Sequence, residues 1–347
     1  MKLMKNKKKY IVIAFILIVF IGYFGWVFFG SVVNEPEGKY FYIYSGSQYQ
    51  NVKDSLLKNK IIPGTFWLDK VAKIFKYDKS IKAGRYRITE NMSLVGLVRM
   101  LRSGNQSPVN LVITKLRTKE DLAKKIGYSF ECDSAAIINF LNNNDSLSKY
   151  NLDSNTVMTA VIPNTYTLLW NNNFSKIFQK LFTEQQKFWT AKRTSQAAAL
   201  HLSPQEVYTL ASIVEEETNA AEDKGKIASV YLNRIRTGMR LAADPTVKFA
   251  MKDFGLKRIY FKHLAYTSPY NTYRNFGLPP GPICTPSIKT LDAVLNAPST
   301  DYLFFVAKPD FSGYSNFATS YQEHMRFAKA YQRALDSIII LRRQNQN

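Results

Sequence analysis

The pattern of hydrophobic and polar positions begins with one uninterrupted apolar run. Residues 10–30 carry no charged side chain and are rich in Ile, Val and Phe. About 20 helical residues, at 1.5 Å per residue, cross the roughly 30 Å hydrocarbon core of a bilayer. The pattern therefore predicts a transmembrane helix over residues 10–30. A basic tail over residues 1–9 precedes it, with Lys2, Lys5, Lys7, Lys8 and Lys9.

The position of these lysines predicts the orientation of the segment. Because the flanking positive charge lies only on the N-terminal side, we expect the N-terminus in the cytoplasm and all later residues outside the cell membrane. A cleaved signal peptide is the alternative. The apolar run is longer than a signal peptide requires, and residues 28–31 (Phe-Phe-Gly-Ser) contain no A-x-A cleavage site. We therefore favour an uncleaved, single-pass anchor.

The next residues alternate between strand and helix patterns. Five elements are predicted over residues 38–105, namely strands near 40–44 and 83–88 and helices near 52–58, 66–75 and 93–104. Together they form a small β-α-α-β-α unit. A further strand near 107–114 begins a larger domain over residues 107–347, so the chain is predicted to be α+β with two folded parts after the anchor.

The strongest helix signal of the larger domain begins at Ser203. Ser203 as N-cap, Pro204 at the first helical position and Glu206 two positions later form a capping box. An apolar stripe follows at helical spacing, made of Val207, Leu210, Ala211 and Val214. A second helix is predicted over 222–237, a third is predicted to be capped by Asp244, and residues 302–306 are predicted to be a buried strand.

Composition narrows the classes of function. The 347 residues contain 46% hydrophobic and 21% charged residues, which is typical of globular proteins. Two cysteines and three widely separated histidines exclude a disulfide framework and argue against a metal site, so no metal or cofactor is predicted. The net charge of +21 predicts an anionic partner. For an exported domain, a polymer of the cell envelope or the membrane surface is a better candidate than nucleic acid.

Three consecutive glutamates, Glu215, Glu216 and Glu217, end the helix that starts after Ser203. At about 100° per residue, Glu216 lies opposite the apolar stripe, where we expect it to face solvent. Glu215 lies on one flank of the stripe, and Glu217 lies beside Leu210, where packing would remove water from its carboxyl group. Desolvation raises a carboxyl pKa toward neutrality, which suits a general acid. Glu217 is therefore the predicted catalytic acid.

Polar residues of the following segments are the candidate substrate contacts. Asn233, Asp244, Asn271 and Tyr273 are predicted to line a cleft beside the glutamates. The loop over residues 277–283 (Gly-Leu-Pro-Pro-Gly-Pro-Ile) cannot join the interior of a sheet but is stiff enough to form a cleft wall.

These motifs together resemble the YceG-like, or MltG-type, family of endolytic murein transglycosylases. The matching segments, in family order, are 211–218 (Ala-Ser-Ile-Val-Glu-Glu-Glu-Thr), 230–234, 244–247, 270–273, 277–283, 302–307 and 316–324. Residues 82–86 (Lys-Ala-Gly-Arg-Tyr) resemble the signature of the family's small LysM-like subdomain. The resemblance implies a LysM-like α/β subdomain over 38–105, a mixed α+β catalytic domain over 107–347, and Glu217 at the position of the family's catalytic acid.

The resemblance also implies an activity. It implies a membrane-anchored lyase that cleaves the MurNAc–GlcNAc β-1,4 bond of nascent glycan strands and leaves 1,6-anhydroMurNAc ends. Strand termination during cell wall synthesis, with peptidoglycan strands as substrate and peptidoglycan synthases as partners, follows as an expectation. Two alternatives stay open: a muramidase with Asp244 or Glu215 as a second carboxylate, and a non-catalytic, membrane-tethered glycan-binding scaffold.

Two segments depart from the family pattern. Asn164 stands where the family has Asp, which removes a charge from a predicted cleft wall. Thr285-Pro286-Ser287 stands where the family has Asn-Pro-Gly after the proline-rich loop. How these segments position the glycan is left open by the sequence.

Overall fold

The computed structural model describes residues 2–30, 32–90 and 92–344 of the chain. Met1 of the predicted basic tail, Ser31, Asn91 of the predicted small unit and the last three residues of the predicted catalytic domain lie outside the described residues. The described chain divides into two compact units. Unit 1 comprises residues 1–110, 129–132 and 167–173, and unit 2 comprises residues 111–128, 133–166 and 174–347. The short segments 129–132 and 167–173 were assigned to the larger domain from the sequence.

Unit 1 begins with helix α1, Lys2–Phe29. Its window Lys9–Trp26 is long and apolar enough to cross a membrane, and none of that window is buried within the protein. A helix whose large apolar side chains are exposed to this degree needs another apolar phase around it. The helix is therefore a candidate single-pass membrane anchor.

The small unit after the anchor has the predicted β-α-α-β-α order. Its elements are β1 (Phe41–Ile43), α2 (Tyr49–Lys58), α3 (Phe66–Ile74), β2 (Gly84–Tyr86) and α4 (Leu94–Ser103). β1 and β2 are antiparallel, with Phe41 opposite Tyr86. Ser93 caps α4 by accepting a hydrogen bond from the Gly96 N–H, as the sequence predicts. The inward faces of these elements form one apolar core, which includes Leu56, Leu68, Val71, Tyr86 and Leu97.

Two later segments of the chain complete unit 1. The Ser45 N–H and hydroxyl donate hydrogen bonds of 2.7 Å to the carboxylate of Glu131. The Trp170 ring packs edge-on against the rings of Tyr42 and Tyr44, with centroids 4.9 and 5.2 Å apart. These contacts explain why unit 1 extends beyond residues 38–105.

Unit 2 is mainly helical. The remaining elements in chain order are β3 (Val109–Val112), α5 (Lys119–Ser129), α6 (Ser134–Asn142), α7 (Asn144–Ser148), β4 (Thr165–Leu168), α8 (Phe174–Phe188), α9 (Ala191–Ala199), α10 (Pro204–Glu217), α11 (Ala221–Arg236), α12 (Asp244–Met251), α13 (Phe261–Leu264), α14 (Ile288–Leu295), β5 (Phe304–Ala307), β6 (Ser315–Ala318) and α15 (Tyr321–Gln344). A 3-10 turn covers Val157–Ala160. β3 pairs with β4, and each of these two strands begins in one unit and ends in the other. β5 pairs with β6 in antiparallel orientation within unit 2. The chain is thus a mixed α+β protein.

Helix α10 is the centre of the unit 2 core. Val207 to Val214 are all buried, and they pack with residues of α11 and α14 in one apolar cluster. The buried Ser212 hydroxyl accepts a 3.0 Å hydrogen bond from the Ile283 N–H and donates one of 2.7 Å to the Thr209 carbonyl. The proline-rich loop is thereby fastened directly to α10.

Two local predictions in this unit are wrong in detail. The N-cap of α12 is Ala243 rather than Asp244, because Asp244 already has helical geometry and its carboxylate is engaged elsewhere. The strand near 302–306 is β5, and its side chains are half-buried rather than buried, because β5 and β6 form only a two-stranded sheet.

Candidate active site

The C-terminal end of α10 holds the three glutamates in three different environments. The helix begins with the predicted capping box, in which Ser203 accepts from the Glu206 N–H while the Glu206 carboxylate accepts from the Ser203 N–H. It ends at Glu217, with Thr218 in extended geometry. The capped N-terminus and the buried apolar stripe fix the rotation of α10 about its axis. With that rotation, the three glutamate side chains lie on different sides of the helix.

Glu217 is half-buried, and its carboxyl group is the most perturbed of the three. Burial raises its pKa to about 7, and the charge of Asp244 contributes in the same direction. The Tyr231 hydroxyl donates a 2.7 Å hydrogen bond to Glu217 Oε1, which opposes the rise because it favours the ionised form. Near neutral pH this carboxyl can therefore both give and accept a proton, as a general acid–base requires.

Glu215 is held as an anion in a closed polar cluster. Its Oε2 accepts hydrogen bonds of 2.9 Å from the Lys224 ammonium and 3.0 Å from the Ser287 hydroxyl, and a further bond from the Thr290 hydroxyl. Burial raises the pKa of this carboxyl, but the bonds from Thr290 and Lys224 outweigh burial and lower it overall. Glu215 therefore ties α10 to α11 and α14.

Glu216 does not face solvent, and this prediction is wrong. Its carboxylate lies 2.9 Å from Lys115 Nζ and 3.0 Å from Arg117 Nη2, and only 16% of its side chain is exposed. These two pairs outweigh the effect of burial and lower the pKa of Glu216. The angular position on α10 was correct, but the segment that carries Lys115 and Arg117 covers that face of the helix.

Asp244 and Tyr273 form a pair on the same side as Glu217. The Tyr273 hydroxyl donates a 2.6 Å hydrogen bond to Asp244 Oδ1. The negative charge of Asp244 raises the pKa of the Glu217 carboxyl and the positive charge of Arg234 lowers it, so both groups lie within electrostatic reach of Glu217. The structure therefore brings Asp244 and Tyr273, two of the predicted substrate contacts, to the candidate acid.

The other two predicted substrate contacts are engaged by the protein itself. The Asn233 amide donates to the carbonyls of Thr300 and Tyr302 at 2.7 and 2.9 Å, and its oxygen accepts from Arg236. Asn271 is fully buried and donates to two backbone carbonyls, while its oxygen accepts from the Tyr273 N–H. Both asparagines act here as anchors of loops, and their binding to a glycan stays a prediction.

Tyr231 and Arg234 belong to the site but were not among the predicted site residues. Both lie on α11, within the segment 230–234 that matches the family pattern, and Tyr231 belongs to the buried face of that helix. A tyrosine in a buried stripe needs a partner for its hydroxyl, and that need is the signal that could have identified it. Arg234 is half-buried, and its Nε donates to the Leu303 carbonyl at 2.8 Å, which fixes the position of the cation whose charge lowers the pKa of Glu217.

The departure at Ser287 has a structural explanation. Ser287 caps α14, and its hydroxyl also donates to Glu215, so a serine here replaces the family's glycine with two specific contacts. Asn164 is exposed, and its side-chain oxygen accepts from the Thr165 N–H. Within residues 2–30, 32–90 and 92–344, no three His, Cys, Asp or Glu side chains converge as a metal site would require.

A cavity of about 290 Å³ lies in unit 2. Its basic lining residues are Arg117, which also contacts Glu216, together with Lys119 and Lys252. Glu120 is the acidic residue of the lining, and Tyr270 contributes an aromatic ring. The balance of charge favours an anionic ligand.

Comparisons with known proteins identify the family of this chain. A sequence model of the YceG-like family matches residues 41–330. An endolytic murein transglycosylase of Bacillus subtilis is 27% identical over 305 residues, which cover 83% of each chain. One from Streptococcus pneumoniae strain D39 is 26% identical over 316 residues, or 81% of this chain and 56% of the relative. The crystal structure of a YceG-like protein from Listeria monocytogenes superposes with a TM-score of 0.56 at 25% identity, covering 84% of this chain and 99% of that one. The match over most of its length shows that the chain belongs to the YceG-like family.

Proposed function

We propose that this protein is an endolytic lytic transglycosylase of peptidoglycan, a lyase whose general acid–base is Glu217. The observation that carries the proposal is the Glu217 carboxyl, with a pKa raised to about 7 and a hydrogen bond from Tyr231. The printed names of the relatives from B. subtilis and S. pneumoniae support the same activity.

One carboxyl group is sufficient for the proposed reaction. Protonated Glu217 gives its proton to the glycosidic oxygen of the MurNAc–GlcNAc β-1,4 bond as that bond breaks, and positive charge develops at the MurNAc anomeric carbon. The 6-hydroxyl of the same sugar then attacks that carbon and gives its proton to the Glu217 carboxylate. The products are a free GlcNAc 4-hydroxyl and a 1,6-anhydroMurNAc end, and Glu217 is again protonated. Because the nucleophile belongs to the substrate, no water is consumed.

The neighbours of Glu217 suit its two roles. Hydrogen bonding from Tyr231 fixes one carboxyl oxygen, so that the other is left to meet the glycosidic oxygen. The negative charge of Asp244 favours the protonated form that starts the cycle, whereas the positive charges of Arg234 and Lys248 favour the carboxylate that forms during it. Opposing influences of this kind hold the pKa near the working pH.

The muramidase alternative needs a second carboxylate that is free to activate water. Glu215 is unsuited to that role because Lys224, Ser287 and Thr290 occupy its Oε2. Asp244 accepts one hydrogen bond, from Tyr273, and is the remaining candidate. A scaffold without catalysis has no need of a carboxyl group whose pKa lies near neutrality.

The proposed cellular role combines the anchor with the chemistry. We expect α1 to hold unit 2 on the outer side of the cell membrane, where nascent strands are made, so that cleavage ends their elongation. The basic cavity near Arg117 suits a polymer with lactyl and peptide carboxylates. Peptidoglycan synthases would be neighbours of an enzyme at this position.

Product analysis tests the proposal and both alternatives at once. The full-length protein in detergent is incubated with purified glycan strands, and the fragments are analysed by mass spectrometry. Anhydro ends are expected. Hydrated reducing ends would show a muramidase, and uncut strands would show a scaffold.

A further inference from the structure

Helix α3 presents an unusual face to the outside of unit 1. At about 100° per residue, Lys73, Phe66, Lys70, Ile74 and Trp67 occupy one arc of roughly 120°, in that angular order. The opposite arc holds the buried residues Leu68, Val71 and Ala72. On the outer arc, Phe66 is 64% exposed and Ile74 is 68% exposed. A soluble protein usually places polar residues on such a face.

The outer face of α3 lies against the end of the candidate membrane span. The Trp67 ring packs edge-on against Phe24 and Phe28 of α1, with centroids 5.1 and 5.6 Å apart. Phe24 lies inside the apolar window Lys9–Trp26. If α1 crosses a bilayer, the ring of Trp67 therefore lies at the depth where the acyl chains meet the headgroups.

A cavity of about 470 Å³ continues the apolar surface from α1 to α3. It is lined by Tyr23 and Trp26 of α1, by Phe66 and Trp67 of α3, and by Ile62 and Pro63 of the loop before α3. A volume of this size falls in the range of small-ligand sites, and its lining is mostly apolar. The cavity lies beside the candidate membrane span, so the apolar ligand available to it is the acyl chain of a membrane lipid.

The charges on the same face match a lipid headgroup layer. Lys70 is exposed, and its Nζ lies 5.5 Å above the centre of the Phe66 ring, so an aromatic ring and an ammonium group are neighbours on this face. Lys73 is adjacent on the arc, whereas Asp69 lies off the face and is engaged by Tyr49 and Lys53. Aromatic residues with flanking lysines are the composition of interfacial helices.

We propose that the outer face of α3 is a phospholipid-binding surface. Phe66, Trp67 and Ile74 enter the interfacial layer of the bilayer that α1 crosses, the cavity receives part of an acyl chain, and Lys70 and Lys73 contact lipid phosphates. Unit 1 is then held to the membrane by two surfaces, the span and this face. A single-helix anchor leaves unit 1 free to tilt relative to the bilayer, and the second surface restricts that tilt. The proposal does not depend on the reaction catalysed by unit 2.

Depth measurement on the full-length protein tests the proposal. In a Cys132→Ser background, where the remaining Cys284 is buried, single cysteines replace Phe66 or Ile74 and carry a nitroxide label. The protein is placed in phosphatidylcholine vesicles with added phosphatidylglycerol. Collisions with oxygen report lipid, and collisions with a water-soluble nickel chelate report water. Phe20→Cys in the span is the lipid reference, and Leu57→Cys, on the exposed side of α2, is the reference for a surface residue outside the face.

Labels at positions 66 and 74 are expected to resemble position 20, with oxygen collisions several-fold more frequent than at position 57. If both labels resemble position 57 while position 20 reports lipid, the α3 surface does not bind the bilayer and the proposal is wrong. Lys70→Gln with Lys73→Gln separates the role of charge. With the unsubstituted lysines, added phosphatidylglycerol is expected to raise the frequency of oxygen collisions at positions 66 and 74. The double variant is expected to lose this increase, and an unchanged increase would contradict the phosphate contacts.

Discussion

The Tyr231 hydroxyl lies 2.7 Å from Glu217 Oε1, so a residue in the middle of α11 donates a hydrogen bond to the last residue of α10 and affects its pKa. Tyr231 is 1% exposed, and burial raises its own pKa well above the usual value, so it remains a hydrogen-bond donor over the whole working range of pH. The donor lowers the pKa of a carboxyl that burial raises. The proton affinity of Glu217 is thus a property of the packing between two helices.

Tyr231→Phe is expected to move the alkaline limb of the pH–activity profile to higher pH. The hydrogen bond favours the Glu217 carboxylate, so its removal raises the pKa and keeps the acid protonated at higher pH. The measurement is the rate of anhydro-end formation from pH 5 to pH 9, in the range where bell-shaped profiles report the catalytic groups. A limb that moves to lower pH would contradict the assigned donor.

Asp244→Asn is expected to shift the same limb in the opposite direction. The charge of Asp244 raises the pKa of Glu217, so a neutral amide lowers it and the acid is lost at lower pH. Asp301→Asn, at an exposed carboxylate of the same unit, is the control and should leave the profile in place. If instead Asp244→Asn abolishes cleavage at every pH, Asp244 has a direct part in the reaction, as the muramidase alternative requires.

Glu217→Gln is expected to lower the rate of anhydro-end formation by about 10²–10⁴-fold, the usual contribution of general acid–base catalysis. The amide is nearly the same size and can still accept from Tyr231, but it can neither give nor take the proton. Glu222→Gln, an exposed glutamate in the first turn of α11, is the matched control and should change the rate by less than about threefold. Similar rates for the two variants would exclude Glu217 as the acid.

The same Glu217→Gln substitution is expected to stabilise the fold at alkaline pH. The pKa of the Glu217 carboxyl is about 7 in the folded protein and near 4.5 in the unfolded chain. Below pH 4.5 the carboxyl is protonated in both states, so its ionisation does not lower the free energy of unfolding. Above pH 7 it must be buried as an anion, which lowers the free energy of unfolding by about 1–3 kcal/mol. The stability gain of the variant should therefore be small at pH 4.5, rise up to pH 7 and then level off. Urea unfolding across this range measures it, and a gain independent of pH would contradict the raised pKa.

Glu216→Gln is expected to destabilise the fold by about 1–2 kcal/mol at pH 7, because it leaves Lys115 and Arg117 facing a neutral amide in a half-buried site. Glu184→Gln is the control, since Glu184 pairs with Lys180 and Lys187 on the surface of α8, where such pairs contribute little. Equal melting temperatures for the Glu216 variant and the unsubstituted protein would show that the ion pairs do not contribute.

The sequence predicted those parts of the fold that depend on local signals. The capping box at Ser203 and the apolar stripe after it fixed the rotation of α10, and this rotation placed Glu217 in a half-buried position beside the core. The order of elements in unit 1 followed from strand and helix periodicity alone. These features depend on residues within one or two turns of each other.

The environment of Glu216 was predicted wrongly because it depends on partners far away in the chain, and the hydrogen bonds of two predicted substrate contacts also could not be read from the sequence. Glu216 is covered by Lys115 and Arg117, about a hundred residues earlier, and a helical wheel contains no information about such a cover. Asn271 and Asn233 are polar residues in a matching motif, yet backbone carbonyls satisfy both amides. A side-chain type and its spacing indicate chemistry, but only the tertiary contacts decide whether the polar atoms remain free for a substrate.

The hydrogen bond between the Ser212 hydroxyl and the Ile283 N–H has a consequence for how this enzyme can diversify. It fixes the end of the proline-rich loop to the helix that ends in Glu217. At Gly281 a side chain would overlap with the carbonyl of Asn155, so that position is also fixed. Insertions and deletions in this loop are therefore expected only at residues before 281. The part of the loop after that point should keep a constant length and a constant distance from the helix that ends in Glu217.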